Sequence, residues 1–274
     1  MKYCLPYGCG DSHIEKEVDE LLIGYNENVK DAVERVIEKN LLSSARLIFV
    51  VDNIAKFLAN DDYKFFIGLA DKYKRDFALS FTRDTEELRP IYEELKKANI
   101  QFFFNSYVRD WDTLHYYMEL GVSDVYVVEA LAFELNLLAP VAHAKGVSIR
   151  AFANVCQGLQ VGGNPLKSFF IRPEDVVDYE KYIDVLEFYG DEHVQAVAYK
   201  VYAHDKQWAG SLNEIIIGLE QEIDNRRIAP AFGNLRMRCG KRCLKGKNCH
   251  ICDHIKNVAN KLEESDMFFR LKQK

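Results

Sequence analysis

Four of the seven cysteines of this chain lie within fourteen residues, in the segment CGKRCLKGKNCHIC that covers residues 239–252. The residues between them are mostly Lys, Arg, Gly and Asn rather than the apolar residues of a core. Short loops containing Gly240 and Gly246 let the backbone bring four sulfurs within bonding distance of one metal. The pattern predicts one metal centre or iron–sulfur cluster, with a disulfide knot or free thiols as the alternative. The predicted ligands are Cys239, Cys243, Cys249 and Cys252.

The expected compartment favours metal ligation over disulfides. The N-terminus MKYCLPYGCGDSH has no apolar region or cleavage pattern of a signal peptide, and the longest apolar runs are too short to span a membrane. We therefore expect a cytoplasmic protein with no membrane partner, in which thiols stay reduced. Thiolates bind both iron–sulfur clusters and Zn²⁺, so the spacing leaves [4Fe–4S] and zinc open as cofactors.

The cysteine segment overlaps a basic one. Eight Lys and Arg residues and no acid lie within residues 226–247, although the whole chain has a net charge of -6. One interpretation is that these cations offset the negative charge of the thiolates. The other is a phosphate-binding surface, for which RNA or another phosphate-bearing molecule would be the partner. The eight residues are Arg226, Arg227, Arg236, Arg238, Lys241, Arg242, Lys245 and Lys247.

Short β-rich runs recur along the first 190 residues at the spacing of one strand–helix unit. Each run is continuously apolar rather than strictly alternating, which is typical of parallel strands covered on both faces. The repeat predicts a TIM-like (β/α)8 barrel over residues 1–190, with an open doubly wound sheet as the alternative. The runs are 47–52, 77–82, 101–106, 124–129, 148–154 and 184–189, with 2–6 and 20–25 competing for the first strand and 168–171 as the seventh.

Helical patterns separate and follow these runs. Asp110 is the expected N-cap of one helix, and Gly121 and Gly146 follow two helices where a C-cap is expected. After residue 190 the repeat stops, so we expect residues 191–274 to form a helical, Cys-rich extension packed on the barrel. The expected helices are 86–98, 111–120, 133–145, 192–204, 211–223 and 253–264.

Polar side chains at the ends of the runs could form an active site, because the C-terminal ends of barrel strands meet at the catalytic mouth. Two carboxylates end apolar runs, where burial is costly unless the group is paired or serves a site. Such carboxylates could exchange a proton while neighbouring amides and a guanidinium orient a polar substrate. The predicted catalytic residues are Glu129, Glu187, Asn105, Asn154 and Arg172.

The same positions also fit a purely structural role. The two carboxylates could pair with local cations such as Arg83, Arg150 or Arg172 and stabilise loops. The sequence contains no legible Ser-His-Asp grouping, H-E-x-x-H motif or phosphate loop, so it gives no support to hydrolases of those kinds.

Four segments of the chain resemble the peptidase U32-like (collagenase-like) superfamily. They are NSYVRDWDTLHYYMELGVSDVYVVEALAFELN, RAFANVC, SFFIRPEDVVDYEKYIDVLEFYG and QAVAYKVYAHDKQWAGSLNEII. With the cysteine cluster that follows them, the resemblance covers roughly residues 100–255. The resemblance implies a TIM-like barrel, a [4Fe–4S] cluster and oxygen-independent hydroxylation of RNA or quinone precursors. It matches Cys156 to the family's first cysteine and Arg172–Asp175 to its RPED segment. The chain departs from the family because its four clustered cysteines lie at the far C-terminus.

The combined prediction is an iron–sulfur barrel enzyme that modifies RNA or a small aromatic precursor, with [4Fe–4S] now preferred to zinc. One alternative is a zinc-stabilised nucleic-acid-binding protein, whose metal only folds the C-terminal loop. Another is a barrel without catalytic activity that works as a scaffold.

Overall fold

The computed structural model describes residues 1–8, 14–26, 30–41, 43–127, 134–156, 166, 168–219, 222–230, 232–239 and 252. The chain divides into two compact units. Unit 1 comprises residues 1–127, 139–151 and 183–187, and unit 2 comprises residues 128–138, 152–182 and 188–274. The predicted division at residue 190, into a barrel and a helical extension, stays a prediction.

Nine strands of the described residues form one sheet, and all their pairs with a defined register are parallel, as the continuous apolar runs predicted. Their order in the sheet is β5-β4-β3-β2-β1-β9-β8-β7-β6. The strands are β1 Lys2–Pro6, β2 Glu20–Tyr25, β3 Arg46–Val51, β4 Phe77–Phe81, β5 Gln101–Phe104, β6 Tyr107–Val108, β7 Asp124–Val127, β8 Ser148–Phe152 and β9 Val185–Glu187.

The two ends of this sheet approach each other. Strands β5 and β6 stand at opposite ends of the order, yet only Asn105 and Ser106 separate them in the chain. At the other side of the gap, the backbone N–H of Ser123, just before β7, donates to the carbonyl of Phe102 in β5 at 2.9 Å. The sheet is therefore a nearly closed parallel barrel, in which β5 and β6 share one strand position.

The structure corrects the predicted list of strands. Segments 2–6 and 20–25 do not compete, because both are strands and they pair with each other. Residues 168–171 do not form the predicted seventh strand. Their carbonyl groups are instead taken by side chains of unit 2: the Arg236 guanidinium donates to Ser168 and Phe170, and the Tyr202 hydroxyl donates to Ile171 at 2.6 Å.

The helices follow the predicted pattern in unit 1, and the helix predicted at 192–204 is also present, as Glu192–Lys200 continued by a π-helical turn at Val201–Asp205. Asp110 caps its helix as expected, since its carboxylate accepts from the Thr113 N–H at 2.8 Å, and Gly121 ends that helix with φ of 76°. Residue Gly146 also has a positive φ, of 71°. The α-helices are α1 Ile14–Glu17, α2 Lys30–Lys39, α3 Ile54–Ala59, α4 Asp62–Tyr73, α5 Arg89–Lys97, α6 Trp111–Leu120, α7 Leu135–Ala144, α8 Val176–Tyr179, α9 Glu192–Lys200 and α10 Phe232–Cys239.

The helix predicted at 211–223 is absent from the described residues of that range. They form a 3-10 turn at Leu212–Glu214 and two isolated bridges, Val155↔Ile217 and Ser211↔Asp224. The Ile217 N–H donates to the Asn154 carbonyl at 2.8 Å, so this backbone bonds to a distant segment rather than to itself. The helix predicted at 253–264 lies outside the described residues.

Aromatic rings fill the space between the sheet and the helices of unit 1. Phe66 of α4 contacts Tyr25, Phe49 and Phe77 on three neighbouring strands, with ring centroids 4.9, 5.1 and 5.9 Å away. All four side chains are buried. Such packing of apolar strands against an apolar helix face stabilises this half of the barrel by burying apolar surface. Across the described residues, no helix is long and apolar enough to cross a membrane.

Candidate functional site

Five charged side chains meet inside unit 1, and we call them the interior cluster: Glu20, Arg46, Asp124, Arg150 and Glu187. Arg150 lies at the centre, with its Nη1 atom 2.5 Å from Glu20 and 3.2 Å from Asp124, and its Nη2 atom 3.4 Å from Glu187. Arg46 joins the same acids, at 3.2 Å from Glu20 and 2.9 Å from Asp124. Four of the five are buried, and Arg46 is half-buried.

Strand register explains why residues so distant in sequence meet. Cys4 in β1 stands opposite Glu20 on one side and Glu187 on the other, and Glu20 stands opposite Arg46. Four strands thus place three charged residues in one row across the sheet. In β8, the next strand after β9, Arg150 stands opposite Tyr126 of β7. A long guanidinium from that position reaches the acids of the row.

The charges of the interior cluster set the pKa values of its acids. Burial opposes ionisation of Asp124, but the charges of Arg46 and Arg150 outweigh it, so the pKa of Asp124 is lowered. Burial raises the pKa of Glu187, and attraction to Arg150 offsets this only in part. The charges of the cluster work in the same direction, because two guanidinium groups face three carboxyl groups and Glu20 repels an ionised Glu187.

Two further groups complete the surroundings of Glu187. The Tyr126 hydroxyl donates to its carboxylate, and burial raises the pKa of Tyr126. Burial also raises the pKa of Cys4, so this cysteine is a protonated thiol at neutral pH and not a ready thiolate ligand. All three acids of the interior cluster have guanidinium partners, which favours a stabilising role for Glu187 over contact with a substrate.

The other predicted catalytic residues also have structural partners or lie elsewhere. Asn154 is buried and clamps Tyr189 in both directions: its amide donates to the Tyr189 carbonyl and accepts from the Tyr189 N–H, each at 2.8 Å. Asn105 is exposed, in the short break between β5 and β6, and its own N–H donates to the Phe81 carbonyl at 2.7 Å. Glu129 lies outside the described residues.

Arg172 is held inside unit 2. Its Nε and Nη2 atoms make a two-point contact with Asp175, at 2.8 and 2.6 Å, and its Nη1 atom donates to Asn225 at 3.2 Å. Its guanidinium lies over the ring of Phe232, 5.2 Å from the centroid. The guanidinium predicted to orient a substrate thus ties the RPED segment to the start of α10.

The basic segment does not present all its cations to a partner. Arg236 is buried, and its guanidinium lies 4.5 Å from the Phe170 centroid and 5.1 Å from the Phe232 centroid. Arg226 and Arg227 both pair with Asp224, at 2.7 and 3.2 Å. Arg236 therefore belongs to the core of unit 2. The predicted phosphate-binding surface would have to come from the remaining basic residues, whose side chains lie outside the described part of the chain.

Helix α10 ends at Cys239, the first of the four predicted ligands. Cys243 and Cys249 lie outside the described residues, and Cys252 is half-buried. In the part of the chain that the structure describes, no group of three or more His, Cys, Asp or Glu residues is placed to hold a metal ion. The metal prediction therefore stays a prediction about the segment beyond α10.

Sequence reasoning missed the interior cluster, although a signal for it exists. Arg150 lies in the middle of the apolar run SIRAF, and Glu20 and Asp124 are charged residues at the first position of apolar strands. A charge inside a strand that is covered on both faces needs a buried partner of opposite sign. Arg150 was expected only as a possible local partner of the two predicted carboxylates.

No family model matches this chain, and no curated protein matches it. Solved structures with similarity include a conserved protein of unknown function from Enterococcus faecalis, with 10% identity, 75% of this chain and 66% of that chain covered, and a TM-score of 0.45. A U32 peptidase matches with 12% identity over 69% of this chain and 93% of that chain, at a TM-score of 0.43. An L-ribulose 3-epimerase matches with 13% identity over 85% and 88%, at a TM-score of 0.37. Similarity at this level does not identify a family.

Proposed function

We propose that this chain is a U32-like barrel enzyme whose C-terminal cysteine segment holds a [4Fe–4S] cluster. The observation that carries the proposal is the C-x3-C-x5-C-x2-C spacing of Cys239, Cys243, Cys249 and Cys252. Four thiolates in a short, apolar-poor segment are a complete ligand set for one cluster or one tetrahedral zinc ion. The resemblance to the U32-like superfamily favours the cluster.

The anchoring of α10 supports a fixed position for the first ligand. Arg236 lies three residues before Cys239 and donates to the Phe170 carbonyl at 2.8 Å from inside the core of unit 2. At the start of the helix, the Gly233 N–H donates to Asp175, and a Cβ atom at that glycine would lie 2.7 Å from the Asp175 carboxyl carbon. A helix held this closely gives Cys239 a defined starting point for a ligand loop.

The proposed reaction is oxygen-independent hydroxylation of RNA or of a small aromatic precursor, as the resemblance implies. A bound cluster would supply one-electron transfer. The chain's own residues would bind the substrate at the C-terminal ends of the barrel strands, where enzymes of this fold bind theirs. The basic residues between Lys241 and Lys247 would neutralise the thiolates and, for an RNA substrate, contact phosphates.

Anaerobic purification followed by iron, sulfide and zinc analysis tests the metal. We expect about four irons and four sulfides per chain, as a [4Fe–4S] cluster requires. Stoichiometric zinc without iron would support the alternative of a zinc-stabilised binding or scaffold protein. Protein that contains neither metal would contradict both.

RNA binding has a separate test. If the basic segment contacts phosphates, the affinity for RNA should fall steeply as the salt concentration rises. Lys241→Gln with Lys245→Gln should then reduce the slope of log affinity against log salt concentration by the amount expected for about two phosphate contacts. Arg226→Gln is the matched control, since this arginine is already paired with Asp224. An affinity that does not change with salt would instead support the interpretation that these cations only offset the negative charge of the thiolates.

A further inference from the structure

A cleft opens in unit 1 where β4, β5 and β6 end. Its volume is about 590 Å³, and its walls come from the loop after β4, the break between β5 and β6, and the first half of α6. This is the C-terminal end of the parallel strands, where barrel proteins bind their ligands. The residues that matter for its chemistry are Arg83, Asp84, Tyr107, Arg109, Asp112 and Tyr116.

Two arginines of this cleft make no hydrogen bond or close ion pair within the described part of the chain. Arg83 and Arg109 are exposed, and neither forms a hydrogen bond or a close ion pair with another described residue. The charge of Arg83 is felt by the exposed Glu87, whose pKa it helps to lower, but as the weakest of the causes. Most other arginines of unit 1 are engaged: Arg46 and Arg150 in the interior cluster, and Arg75 with backbone carbonyls. A guanidinium has five donors in a planar fork that matches carboxylate and phosphate oxygens.

The acid beside them is already satisfied. Asp84 accepts from the Tyr92 hydroxyl at 2.6 Å through one oxygen and from the Tyr116 hydroxyl at 2.5 Å through the other. Arg89 donates to the Tyr116 oxygen at 3.1 Å and adds a positive charge to the group. This chain of bonds fixes the loop after β4 against α5 and α6. It also leaves Asp84 few free lone pairs with which to compete for Arg83 or Arg109.

The N-terminus of α6 is not what attracts an anion to this site, because Asp110 already caps that end of the helix. The Asp110 carboxylate accepts from both the N–H and the hydroxyl of Thr113, at 2.8 and 2.7 Å. Asp112 is exposed and lines the cleft, so its negative charge offsets part of the attraction that the two arginines exert on an anion. A ligand with one negative charge would gain little from such a balance, whereas a compact dianion can use both guanidinium groups.

We propose that this cleft binds a small phosphate monoester, with Arg83 and Arg109 on the phosphate and the ring of Tyr107 beside its organic part. Tyr107 is 37% exposed, so its ring offers an apolar surface in the cleft. The site does not rest on the proposed metal centre, because every residue in it lies between 83 and 117 in unit 1. It is a ligand site that neither the cysteine segment nor the interior cluster supplies.

A titration of ¹⁵N-labelled protein tests the proposal, with glycerol 3-phosphate and phenyl phosphate as probes and glycerol, phenol and acetate as comparators. We expect saturable shifts of the backbone amides of residues 105–113 with both phosphate esters. The three comparators should bind much more weakly. Equal binding of glycerol or phenol would overturn the proposal, and equal binding of acetate would overturn the assignment to phosphate.

Substitutions then assign the contacts. Arg83→Gln and Arg109→Gln should each raise the dissociation constant of glycerol 3-phosphate about tenfold, which is the loss of affinity expected for one charge-assisted hydrogen bond. Asp112→Asn should tighten it. Arg35→Gln on α2 is the matched control, since Arg35 is exposed and outside the cleft, and should leave it unchanged. Unchanged affinity in both cleft variants would contradict the proposal.

The same titration on Cys243→Ser protein separates this proposal from the metal. Binding should persist when the metal is lost, because the cleft contains no residue of the cysteine segment. If binding is lost together with the metal in a protein whose circular dichroism is unchanged, the cleft is not an independent site.

Discussion

Arg150 and Glu20 touch through an Nη1–Oε2 contact of 2.5 Å although 130 residues separate them in the chain. Both side chains are at most 1% exposed. The contact joins β8 to β2, two strands that are not neighbours in the sheet, across the inside of the barrel. The interior cluster therefore ties opposite sides of unit 1 together.

Removing Arg150 should be strongly destabilising. Arg150→Met keeps a long side chain but leaves Glu20, Asp124 and Glu187 without their shared cation, and breaking such a buried pair costs about 3–5 kcal/mol. Urea denaturation of the whole chain, monitored by tyrosine fluorescence, measures the loss of unfolding free energy. Lys64→Met is the control, because Lys64 and Asp61 form an exposed pair. A loss no larger than that of the control would mean that the cluster contributes little to stability.

Glu187 should behave as a buried acid that prefers to be neutral. Its folded-state pKa is raised above the usual 4.5, so the stability it contributes is present below the unfolded pKa and is lost as pH rises through the folded pKa. Glu187→Gln imitates the neutral form. Its unfolding free energy relative to wild type should therefore increase as pH is raised from 4 toward 8. A relative stability that falls over this range would show that Glu187 is stabilised as a carboxylate.

Asp124 should show the opposite pH dependence. Its folded-state pKa is lowered from 3.8, so its contribution is present above the unfolded pKa and is lost as pH falls through the folded pKa. Asp124→Asn should cost about 3–5 kcal/mol at pH 7, since two guanidinium groups lose a carboxylate. Below about pH 4 the gap to wild type should narrow. A gap that does not change with pH would contradict the ion-pair account.

Asn154 should prove structural rather than catalytic. Asn154→Ala leaves the N–H and the carbonyl of Tyr189 without their present partners, which should cost about 2–4 kcal/mol. Asn105→Ala, at an exposed site, should leave the melting temperature almost unchanged. If Asn154→Ala instead keeps full stability and loses whatever turnover the protein shows, the original assignment of Asn154 to the active site stands.

The fold was predictable from the sequence where its signal is local. Continuous apolar runs such as 77–82 and 124–129 mark strands covered on both faces, and caps such as Asp110 and Gly121 fix helix ends through bonds within a few residues. The parallel barrel follows from the repetition of these local signals. The two early runs, 2–6 and 20–25, needed no choice between them, because each is a strand.

Long-range partners were not predictable in this way. The apolar run 168–171 has the composition of a strand, but its carbonyls bond to the side chains of Arg236 and Tyr202. The run 211–223 has a helical pattern, but Ile217 bonds to the backbone of Asn154. For Glu187 the sequence named three candidate cations, and the structure selects Arg150, which the register of the strands brings within 3.4 Å. Contacts between such distant residues depend on how the strands are arranged in the barrel, which the local pattern of one sequence does not specify.

The central claim is that the four clustered cysteines hold a [4Fe–4S] cluster, and electron paramagnetic resonance of anaerobically purified, dithionite-reduced protein tests it most directly. We expect a paramagnetic cluster signal in the wild type, its loss in Cys243→Ser, and its retention in Cys4→Val, because Cys4 is a buried thiol of unit 1. A colourless wild-type protein that gives no signal on reduction, whether or not it contains zinc, would contradict the claim.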